Sequence, residues 1–565
     1  MKKILLLFSF LFVLSFVKAQ ETYPVNGSYD IRAGQFAFIN ANIVVSASQT
    51  ITNGTLMIKD RKIENVGTNL SIPKGYVVID LKGKFIYPSL IDAYTTYGLP
   101  EAPRQSFNFR GSQPVLISTK PGAYAWNEAI RPEMEVNSIF NIDAKKAEDL
   151  KKNGFGTVNT LIKDGIARGT SAAVTLGTES PLWVVLNPTT AANYSFSKGT
   201  AKTDYPGSLM GAIALIRQTY LDAAWYKSQK KEYNISLNKF IEQQNLTQVF
   251  EANGWENVLR ADKIGDEFGK QYVFKSSGNE YQRIDAIKAT GGKFIIPINF
   301  PKPYDVEDPA NAKGVTYAQM KDWEMAPTNP AALEKAGIEF AITMSDLESS
   351  RDFWANLRTA IDHGLSEKQA LKALTETPAK LLGIDSKVGT IAKGKEANFL
   401  ITSDSLFKKG NIIYENWVQG SKFVVAQMDV KDLRGDYNLL IGGLGNLTMK
   451  IGGTVGAYDL NIERSGADSV KVKGTLNRNG DLLSMYFDLK NKPDGVTRLS
   501  GYLDQSNPII FKGEAVLADG TTSQFTATFK NAFKERAKKE DAKPKVEIGE
   551  VVFPFVAYGN KEMPK

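Results

Sequence analysis

The chain has 565 residues and a formal net charge of +8, from 69 Lys and Arg against 61 Asp and Glu. The basic residues are dispersed, and no basic stripe carries interleaved aromatic residues, which argues against nucleic acid as a partner. One histidine, His363, and no cysteine are present, so the two residue types that most often hold zinc are nearly absent.

The first twenty residues have the pattern of a secretory signal peptide. Lys2 and Lys3 precede an apolar run, and Ala19 offers a small-residue cleavage site, with cleavage after Ala19 or Gln20. The run is shorter than the roughly twenty apolar residues that a spanning helix needs. We therefore predict a signal peptide over residues 1–20, a periplasmic or secreted protein, and no membrane span after signal removal.

Residues 36–87 alternate like short strands separated by turns. Asn53-Gly54 is predicted as a turn, and Asp60-Arg61 as a hairpin tip between two β-rich runs. A return to β character occurs after residue 386. We predict one composite small β-sandwich from residues 21–87 and 386–430.

Residues 88–385 alternate between short β-like runs and amphipathic helices. Gly156–Ile162 and Phe294–Asn299 are predicted strands, and Leu209–Trp225 is a predicted helix. Ser366–Gln369 has the pattern of a capping box that starts a further helix. Repeated βα units over this length predict an α/β fold, a (β/α)8 TIM-like barrel.

The C-terminal part is predicted to be a separate all-β domain. Residues 431–530 combine evenly spaced alternating runs with glycines at turns, which is typical of an antiparallel barrel or sandwich of about eight strands. Residues 531–565 mix both charge signs and are predicted to be a linker-like tail.

Three segments resemble motifs of the amidohydrolase superfamily, the metal-dependent hydrolases of the urease and imidazolonepropionase type. They are the approach to the first barrel strand, the exit from the barrel and the return strand, at Val77–Asp92, Ala373–Ile384 and Val388–Phe399. The resemblance covers about residues 36–426. It implies a barrel beside a small β-sandwich and hydrolysis of non-peptide C–N bonds at a metal centre.

A further segment, Tyr205–Thr219, is similar to one in a secreted subgroup of this superfamily. Members of that subgroup carry a degenerate barrel, a β-rich spacer and a second barrel with intact metal ligands. The resemblance implies that a separate, intact amidohydrolase barrel is a partner of this chain, with a homo-oligomer as the other possibility.

The sequence departs from the superfamily pattern at the metal ligands. Tyr94 and Thr96 stand where the superfamily has a His-x-His pair, and a phenol or a hydroxyl is a poor zinc ligand at neutral pH. The histidines of strands five and six are expected near Phe274–Ser276 and Ile296–Phe300, where none occurs. Asp346 matches the strand-eight aspartate, either as a vestigial catalytic and metal-binding residue or as a carboxylate that only orders the barrel rim.

Two other segments are candidate sites. His363 precedes Gly364, and we predict that it ends a helix, where imidazole is favourable at the negative end of the dipole. Gly165–Ser171 could cradle an anion, but it lacks the lysine pattern of a phosphate loop, and a turn is predicted instead.

Three hypotheses about function remain open at this point. The first is a pseudoenzyme that binds or scaffolds, with no cofactor. The second is an active C–N hydrolase with an atypical oxygen-ligand site for zinc or another divalent metal, which includes Asp346. The third is a binding module in which the all-β segment 433–530 engages a protein or a glycan.

Overall fold

The computed structural model describes residues 34–101, 114–229, 232–428, 432–455, 457–466, 469–479, 481–489, 495–504, 510–533 and 549. The predicted signal peptide and most of the predicted tail lie outside these residues. The described chain forms two compact units: the first contains the residues up to Ala426 together with Gly549, and the second lies within Gln427–Glu547.

Twenty-six strands are present in the described chain. They are β1 Phe36–Ser46, β2 Gln49–Lys59, β3 Lys62–Gly67, β4 Val77–Asp80, β5 Phe85–Pro88, β6 Leu90–Thr95, β7 Phe155–Thr160, β8 Ala167–Thr170, β9 Ala172–Thr175, β10 Val185–Asn187, β11 Ala191–Ser195, β12 Thr247–Glu251, β13 Tyr272–Lys275, β14 Lys293–Pro297, β15 Phe340–Thr343, β16 Phe399–Thr402, β17 Ile413–Val418, β18 Ser421–Val424, β19 Gly435–Ile441, β20 Gly445–Thr454, β21 Ala457–Arg464, β22 Val470–Asn479, β23 Leu482–Asp488, β24 Val496–Asp504, β25 Ile510–Val516 and β26 Thr522–Ala532.

The α-helices of the described chain all lie in the first unit. They are α1 Val136–Ile139, α2 Ala144–Lys152, α3 Pro181–Val184, α4 Leu209–Ser228, α5 Ile235–Glu242, α6 Trp255–Glu267, α7 Ile284–Ala289, α8 Pro309–Gly314, α9 Tyr317–Met325, α10 Asn329–Ala336, α11 Phe353–Asp362, α12 Glu367–Leu374 and α13 Glu376–Leu381. Short 3-10 turns occur at Gln243–Asn245, Glu280–Arg283, Ala326–Thr328 and Ser350–Asp352.

The small β-structure combines strands from both ends of the first unit. The order is β18-β17-β16-β5-β1-β2-β3, and β4 pairs with β1. Asp60 and Arg61 form the predicted hairpin tip between β2 and β3, and both have a positive φ. The turn predicted at Asn53-Gly54 is wrong, because β2 continues through these residues and Asn53 takes a positive φ within the strand.

Eight strand positions form the barrel, in the order β6, β7, β9 with β8, β11, β12, β13, β14 and β15. The third position runs antiparallel to both neighbours, because β9 pairs antiparallel with β7 and β8 pairs antiparallel with β11. Only residues 161–166 connect β7 to β8, and so short a connection joins antiparallel strands, whereas a parallel crossover needs a dozen or more residues. The TIM-like α/β fold is confirmed, with this one strand reversed.

One layer of buried apolar side chains inside the barrel comes from six barrel strands, from the residue after β7 and from the end of α13. They are Ala93, Tyr94, Leu161, Ala191, Val249, Val273, Ile295, Ala341 and Leu381. Between β15 and β6 a buried carboxylate links the strands. Asp92 accepts hydrogen bonds from Thr343 Oγ1 at 2.6 Å, Met344 N at 3.0 Å and Tyr94 N at 3.0 Å.

Two helix ends predicted from the sequence are present in the structure, the start of α12 at Ser366 and the end of α11 at His363. Ser366 caps α12 by accepting a hydrogen bond from Gln369 N at 3.1 Å. The predicted capping box is only half formed, because the Ser366 backbone N–H donates to Glu334 Oε2. His363 follows the last residue of α11, and its Nδ1 lies 2.7 Å from Thr359 O, so its predicted place at a helix end is confirmed.

The second unit is a closed antiparallel barrel formed by β19 to β26 in sequence order. Alternate residues point inward and build its own apolar core, which includes Tyr437, Met449, Met485 and Phe511. Gly501 and Gly513 face each other across β24 and β25. The predicted all-β barrel of about eight strands is confirmed. Among the residues that the structure describes, no helix is long and apolar enough to cross a membrane.

Candidate functional site

Charged and aromatic side chains meet at the end of the barrel where the parallel strands finish. We call this set the mouth cluster and define it as Tyr94, Lys163, Arg168, Glu251, Lys275 and Asp346. Active sites of TIM-like barrels lie at this end, because the loops that follow the strands converge there.

Strand alternation places two of these residues inside the barrel. Val249 and Val273 belong to the apolar interior layer. Residues two positions apart on a strand share a face, so Glu251 and Lys275 point inward one step nearer the mouth. Both end their strands, β12 and β13.

Lys275 and Asp346 form an ion pair across the mouth. Lys275 Nζ donates to Asp346 Oδ2 at 2.6 Å and to Ser276 O at 2.9 Å. The Lys275 side chain is fully buried, while that of Asp346 is 41% exposed. Partial burial opposes ionisation of Asp346, but the charge and hydrogen bond of Lys275 outweigh it and lower its pKa.

Arg168 forms the second ion pair, with Glu251. The guanidinium Nη1 donates to Glu251 Oε2 at 2.5 Å and to the Tyr94 hydroxyl at 3.0 Å, and Nε donates to Gly165 O at 2.9 Å. Burial opposes the charge on Glu251, yet Arg168 outweighs it and lowers the carboxyl pKa. The next residue, Gly169, has a φ of +81°, and it lets β8 pack closely against the Met134 backbone, because an added Cβ would lie 2.0 Å from Met134 O.

Tyr94 lies at the centre of the mouth cluster. It is buried, and burial raises the pKa of its hydroxyl, so the phenol stays protonated. The ammonium groups of Lys163 and Lys275 lie 4.7 Å and 5.6 Å from its ring centroid, within the range of cation–π attraction. Lys163 also donates to Ser345 Oγ, which in turn donates to Asp346 Oδ1 at 3.1 Å.

The structure brings together only some of the residues predicted from the sequence. Tyr94 and Asp346 are both in the mouth cluster, and Asp346 has a positive φ of 73° in the loop after β15. Thr96 lies beyond the end of β6 and is exposed, so it is not part of the cluster. His363 is at the end of α11, where its ring contacts Thr359.

Two strand assignments made from the sequence are wrong by one position. Lys275 ends the sixth barrel strand rather than the fifth, and Ile296–Phe300 overlaps the seventh strand, β14, rather than the sixth. The fifth strand is β12, ending at Glu251. The strands β11 and β12 escaped prediction because each is only five residues long and neither has a continuous apolar run.

Four residues of the mouth cluster were missed as site residues: Lys163, Arg168, Glu251 and Lys275. A usable indication was present for Glu251 and Lys275, since each is a charged residue directly after a short buried run. The turn predicted over Gly165–Ser171 is wrong, because Ala167–Thr170 is the buried strand β8 and delivers Arg168.

These side chains do not fit a metal ion of the hydrolase kind. Among the described residues, no group of three or more His, Cys, Asp and Glu is placed to hold one. The two carboxylates of the mouth cluster are each paired with a cation, and ammonium and guanidinium groups have no lone pair to offer. We therefore derive no chemical step through a metal at this site.

Fold and site together define a TIM-like barrel protein with the architecture of a metal-dependent hydrolase. Its barrel mouth carries ion pairs where such hydrolases carry metal ligands. A family model described as "Amidohydrolase family" matches residues 320–428. Imidazolonepropionase from Flavobacterium psychrophilum is 24% identical over 380 residues, covering 62% of this chain and 85% of the relative. Together these matches support membership of the amidohydrolase superfamily.

Two further comparisons agree with this placement. Imidazolonepropionase from Flavobacterium johnsoniae is 24% identical over 375 residues, covering 62% of this chain and 86% of the relative. The crystal structure of an amidohydrolase from Thermotoga maritima matches with a TM-score of 0.55 and 20% identity, covering 69% of this chain and all of that one. At this identity the structural match concerns the fold.

Proposed function

We propose that this protein is a secreted or periplasmic pseudoenzyme of the amidohydrolase superfamily, which binds or scaffolds rather than hydrolyses. The observation that carries the proposal is the ion pair between Lys275 and Asp346. The ammonium group of Lys275, at the end of the sixth barrel strand, pairs with the Asp346 carboxylate. In active relatives the matching carboxylate is expected to bind a metal.

Electrostatics supports the loss of metal binding. A divalent cation at the mouth would face Lys163, Arg168 and Lys275, and two unit charges 4 Å apart interact by roughly 4 kcal/mol at an effective dielectric constant near 20. Glu251 and Asp346 would also have to release their present partners. Without a Lewis acid, water keeps its ordinary high pKa, so little hydroxide is available for attack at neutral pH.

The alternative is an active hydrolase of non-peptide C–N bonds with an atypical oxygen-ligand metal site. It requires Asp346 and Glu251 to exchange their cationic partners for a metal ion. The names of the matched relatives favour this class of reaction, but the charges of the mouth cluster do not.

Metal content and activity together test the proposal. The purified protein is equilibrated with zinc, dialysed and measured for bound metal, then assayed on cyclic amides, imidazolones and dipeptides. We expect no stoichiometric zinc and no turnover. The matched variants are Asp346→Asn in the mouth cluster and Glu348→Gln, an exposed carboxylate nearby.

Stoichiometric zinc binding overturns the proposal. Turnover that Asp346→Asn abolishes and Glu348→Gln leaves intact also overturns it. A scaffold role is tested separately. Sedimentation of the full chain, alone and mixed with a purified metal-bearing amidohydrolase barrel, should give a complex with that barrel or a homo-oligomer. Monomeric behaviour in both samples would contradict it.

A further inference from the structure

A cavity of about 500 Å³ lies beside α4, and no residue of the mouth cluster lines it. Its volume falls within the range of small-molecule sites, roughly 300 to 1,000 Å³. Its walls come from α4, from the chain that precedes α4 and from the chain between β6 and α1. The described residues that line it are Trp126, Tyr205, Ala214, Leu215, Gln218 and Asp222. Four of these six lie within Tyr205–Thr219, a segment to which the proposed function gives no role.

Two aromatic rings form one wall of the cavity. The ring centroids of Trp126 and Tyr205 are 6.2 Å apart, and the ring planes differ by 20°. Trp126 is 41% exposed, so its side chain is reachable from solvent. Leu215 is buried and adds an aliphatic surface. Aromatic faces carry a negative electrostatic potential, and a cation over such a face is attracted to it, most strongly over tryptophan.

Hydrogen bonds hold this wall in place before any ligand arrives. Asn127, next to Trp126, is fully buried, and its Nδ2 donates to Tyr205 O at 2.8 Å. The Tyr205 hydroxyl donates to Gly211 O, in the first turn of α4, at 2.9 Å. That hydroxyl has used its proton, so it offers the cavity lone pairs only. A preformed wall lowers the entropic cost of binding.

The polar groups of the cavity are mainly acceptors. Gln218 Nε2 donates to Asp222 Oδ1, one turn further along α4. This bond fixes the orientation of the amide and leaves Asp222 Oδ2 and Gln218 Oε1 to accept from a ligand. Asp222 is the one charged side chain among the described residues that line the cavity, and it forms no ion pair within the described chain. A carboxylate beside two aromatic faces favours a cation that also donates hydrogen bonds.

The cationic side chains nearest in the sequence to the lining residues are engaged elsewhere. Arg217 donates to Glu267 through two hydrogen bonds of 2.5 Å. Lys120 pairs with Glu133 at 3.2 Å. Lys198 donates to two backbone carbonyl groups of the chain before α4, at 3.0 and 3.2 Å. None of these three cations lines the cavity, and none of them is the ion-pair partner of Asp222.

We propose that this cavity binds a small organic ammonium ion with a flat apolar body. The ammonium group donates to the free acceptors of Asp222 and Gln218, and the apolar body lies against Trp126 and Tyr205. An anion of the same shape is repelled by Asp222. The site is separate from the mouth cluster, so this inference goes beyond the proposed function and does not depend on whether the barrel hydrolyses a substrate.

The test uses the full chain and three probes that share a phenylethyl body and differ in charge. They are phenethylammonium, neutral 2-phenylethanol and anionic 3-phenylpropanoate. Ligand-observed NMR and calorimetry measure their binding at constant ionic strength. The proteins are the wild type, Asp222→Asn, which removes the charge and keeps the side-chain shape, and Trp126→Leu, which removes the aromatic face.

Two control variants make the same chemical changes away from the cavity. Asp149→Asn replaces a carboxylate on α2 whose side chain is 59% exposed. Trp183→Leu replaces a tryptophan on α3 that is also 59% exposed. Neither residue lines the cavity.

We expect phenethylammonium to bind the wild type and both controls with the same affinity, and 2-phenylethanol and 3-phenylpropanoate to bind at least about tenfold more weakly. Asp222→Asn should lower the phenethylammonium affinity by at least about fivefold, because it removes the counter-charge. Trp126→Leu should lower it by at least about threefold, the size of a partly exposed cation–π contact.

Equal affinity of the wild type for phenethylammonium and 2-phenylethanol overturns the proposal. So does an unchanged phenethylammonium affinity in Asp222→Asn, or no binding to the wild type up to about 100 mM, far above the millimolar range of weak sites. If Trp126→Leu does not fold, Asp222→Asn decides the outcome alone.

Discussion

Lys275 Nζ lies 2.6 Å from Asp346 Oδ2, so the last residue of the sixth barrel strand is tied to the loop after the eighth. The pair closes the mouth of the barrel at the position where the superfamily resemblance implies a metal ligand. Asp346 is therefore the ion-pair partner of a fully buried lysine.

Lys275→Met is expected to reduce the free energy of unfolding by about 1 to 3 kcal/mol, because it leaves Asp346 without its cation. The value lies below that of a fully buried pair, since Asp346 is partly exposed. Asp346→Asn introduces a residue that also tolerates the positive φ. With Lys275→Met and the double variant it completes a double-mutant cycle. Urea unfolding measures both, with Lys302→Met as the control.

Lys302 and Glu348 form an exposed ion pair, with side chains 71% and 76% exposed. Removing this pair should change the unfolding free energy by no more than about 0.5 kcal/mol. A Lys275→Met effect as small as that of Lys302→Met would show that the mouth pair contributes nothing to stability.

Arg168→Met is expected to cost about 3 kcal/mol, because it leaves Glu251 and the Tyr94 hydroxyl without their shared donor inside the barrel. The double variant Arg168→Met with Glu251→Met should recover part of the loss, since no unpaired charge remains. Urea unfolding at neutral pH is the measurement. A double variant less stable than the single one would contradict this account of the pair.

The same carboxylate predicts a pH dependence. The folded-state pKa of Glu251 is lowered, so the stability it contributes is present above its unfolded pKa, about 4.3, and is lost as the pH falls through the lower folded value. The difference in stability between the wild type and Glu251→Gln should therefore narrow at acidic pH. A difference that is constant from neutral pH to about pH 3 would show that Glu251 is not held by Arg168.

Asp262 on α6 is expected to give a pH dependence of stability opposite to that of Glu251. Burial, and then the charge of Asp266 one turn away, raise its pKa to about 6. Because the folded-state pKa is raised, ionisation of Asp262 opposes folding. The contribution of the protonated carboxyl group to stability is fully present below its unfolded pKa of about 3.9, and it is lost as the pH rises from about 4 to 6. Asp262→Asn should therefore stabilise the protein by about 1 to 2 kcal/mol at pH 7, and by nothing measurable near pH 3.

Unfolding curves at the two pH values check this prediction, and Asp266→Asn should produce a smaller change of the same sign, because it removes the neighbouring charge. Stabilisation of equal size at both pH values would contradict the role of ionisation.

Gly513→Ala is expected to destabilise the closed β-barrel by about 1 to 3 kcal/mol. An added Cβ would lie 2.1 Å from Ser500 O and 2.4 Å from Gly501 Cα, and backbone atoms of a paired strand cannot move aside cheaply. Gly314→Ala is the control, because nothing lies within 4 Å of its added Cβ. Calorimetry should show a lower transition temperature only for Gly513→Ala.

Part of the mouth cluster could be predicted from the sequence. Tyr94 and Asp346 follow recognisable motifs at the first and eighth barrel strands, and both lie in the cluster. Thr96 matches the second position of the superfamily's His-x-His pair, but β6 ends at Thr95, and Thr96 lies outside the cluster. Arg168 could not be predicted as a site residue, because its glycine-containing segment, Gly165–Ser171, has the pattern of a turn.

The sequence by itself determined the fold class, the separate all-β barrel and the absence of a histidine cage, because these depend on periodicity, turn residues and composition, which are local properties of the chain. Only the tertiary structure decided the pairing of Lys275 with Asp346 and of Arg168 with Glu251. These partners are 71 and 83 residues apart. Their contact depends on the order of the barrel strands, including the reversed third strand that delivers Arg168 to the mouth, and no local pattern encodes it.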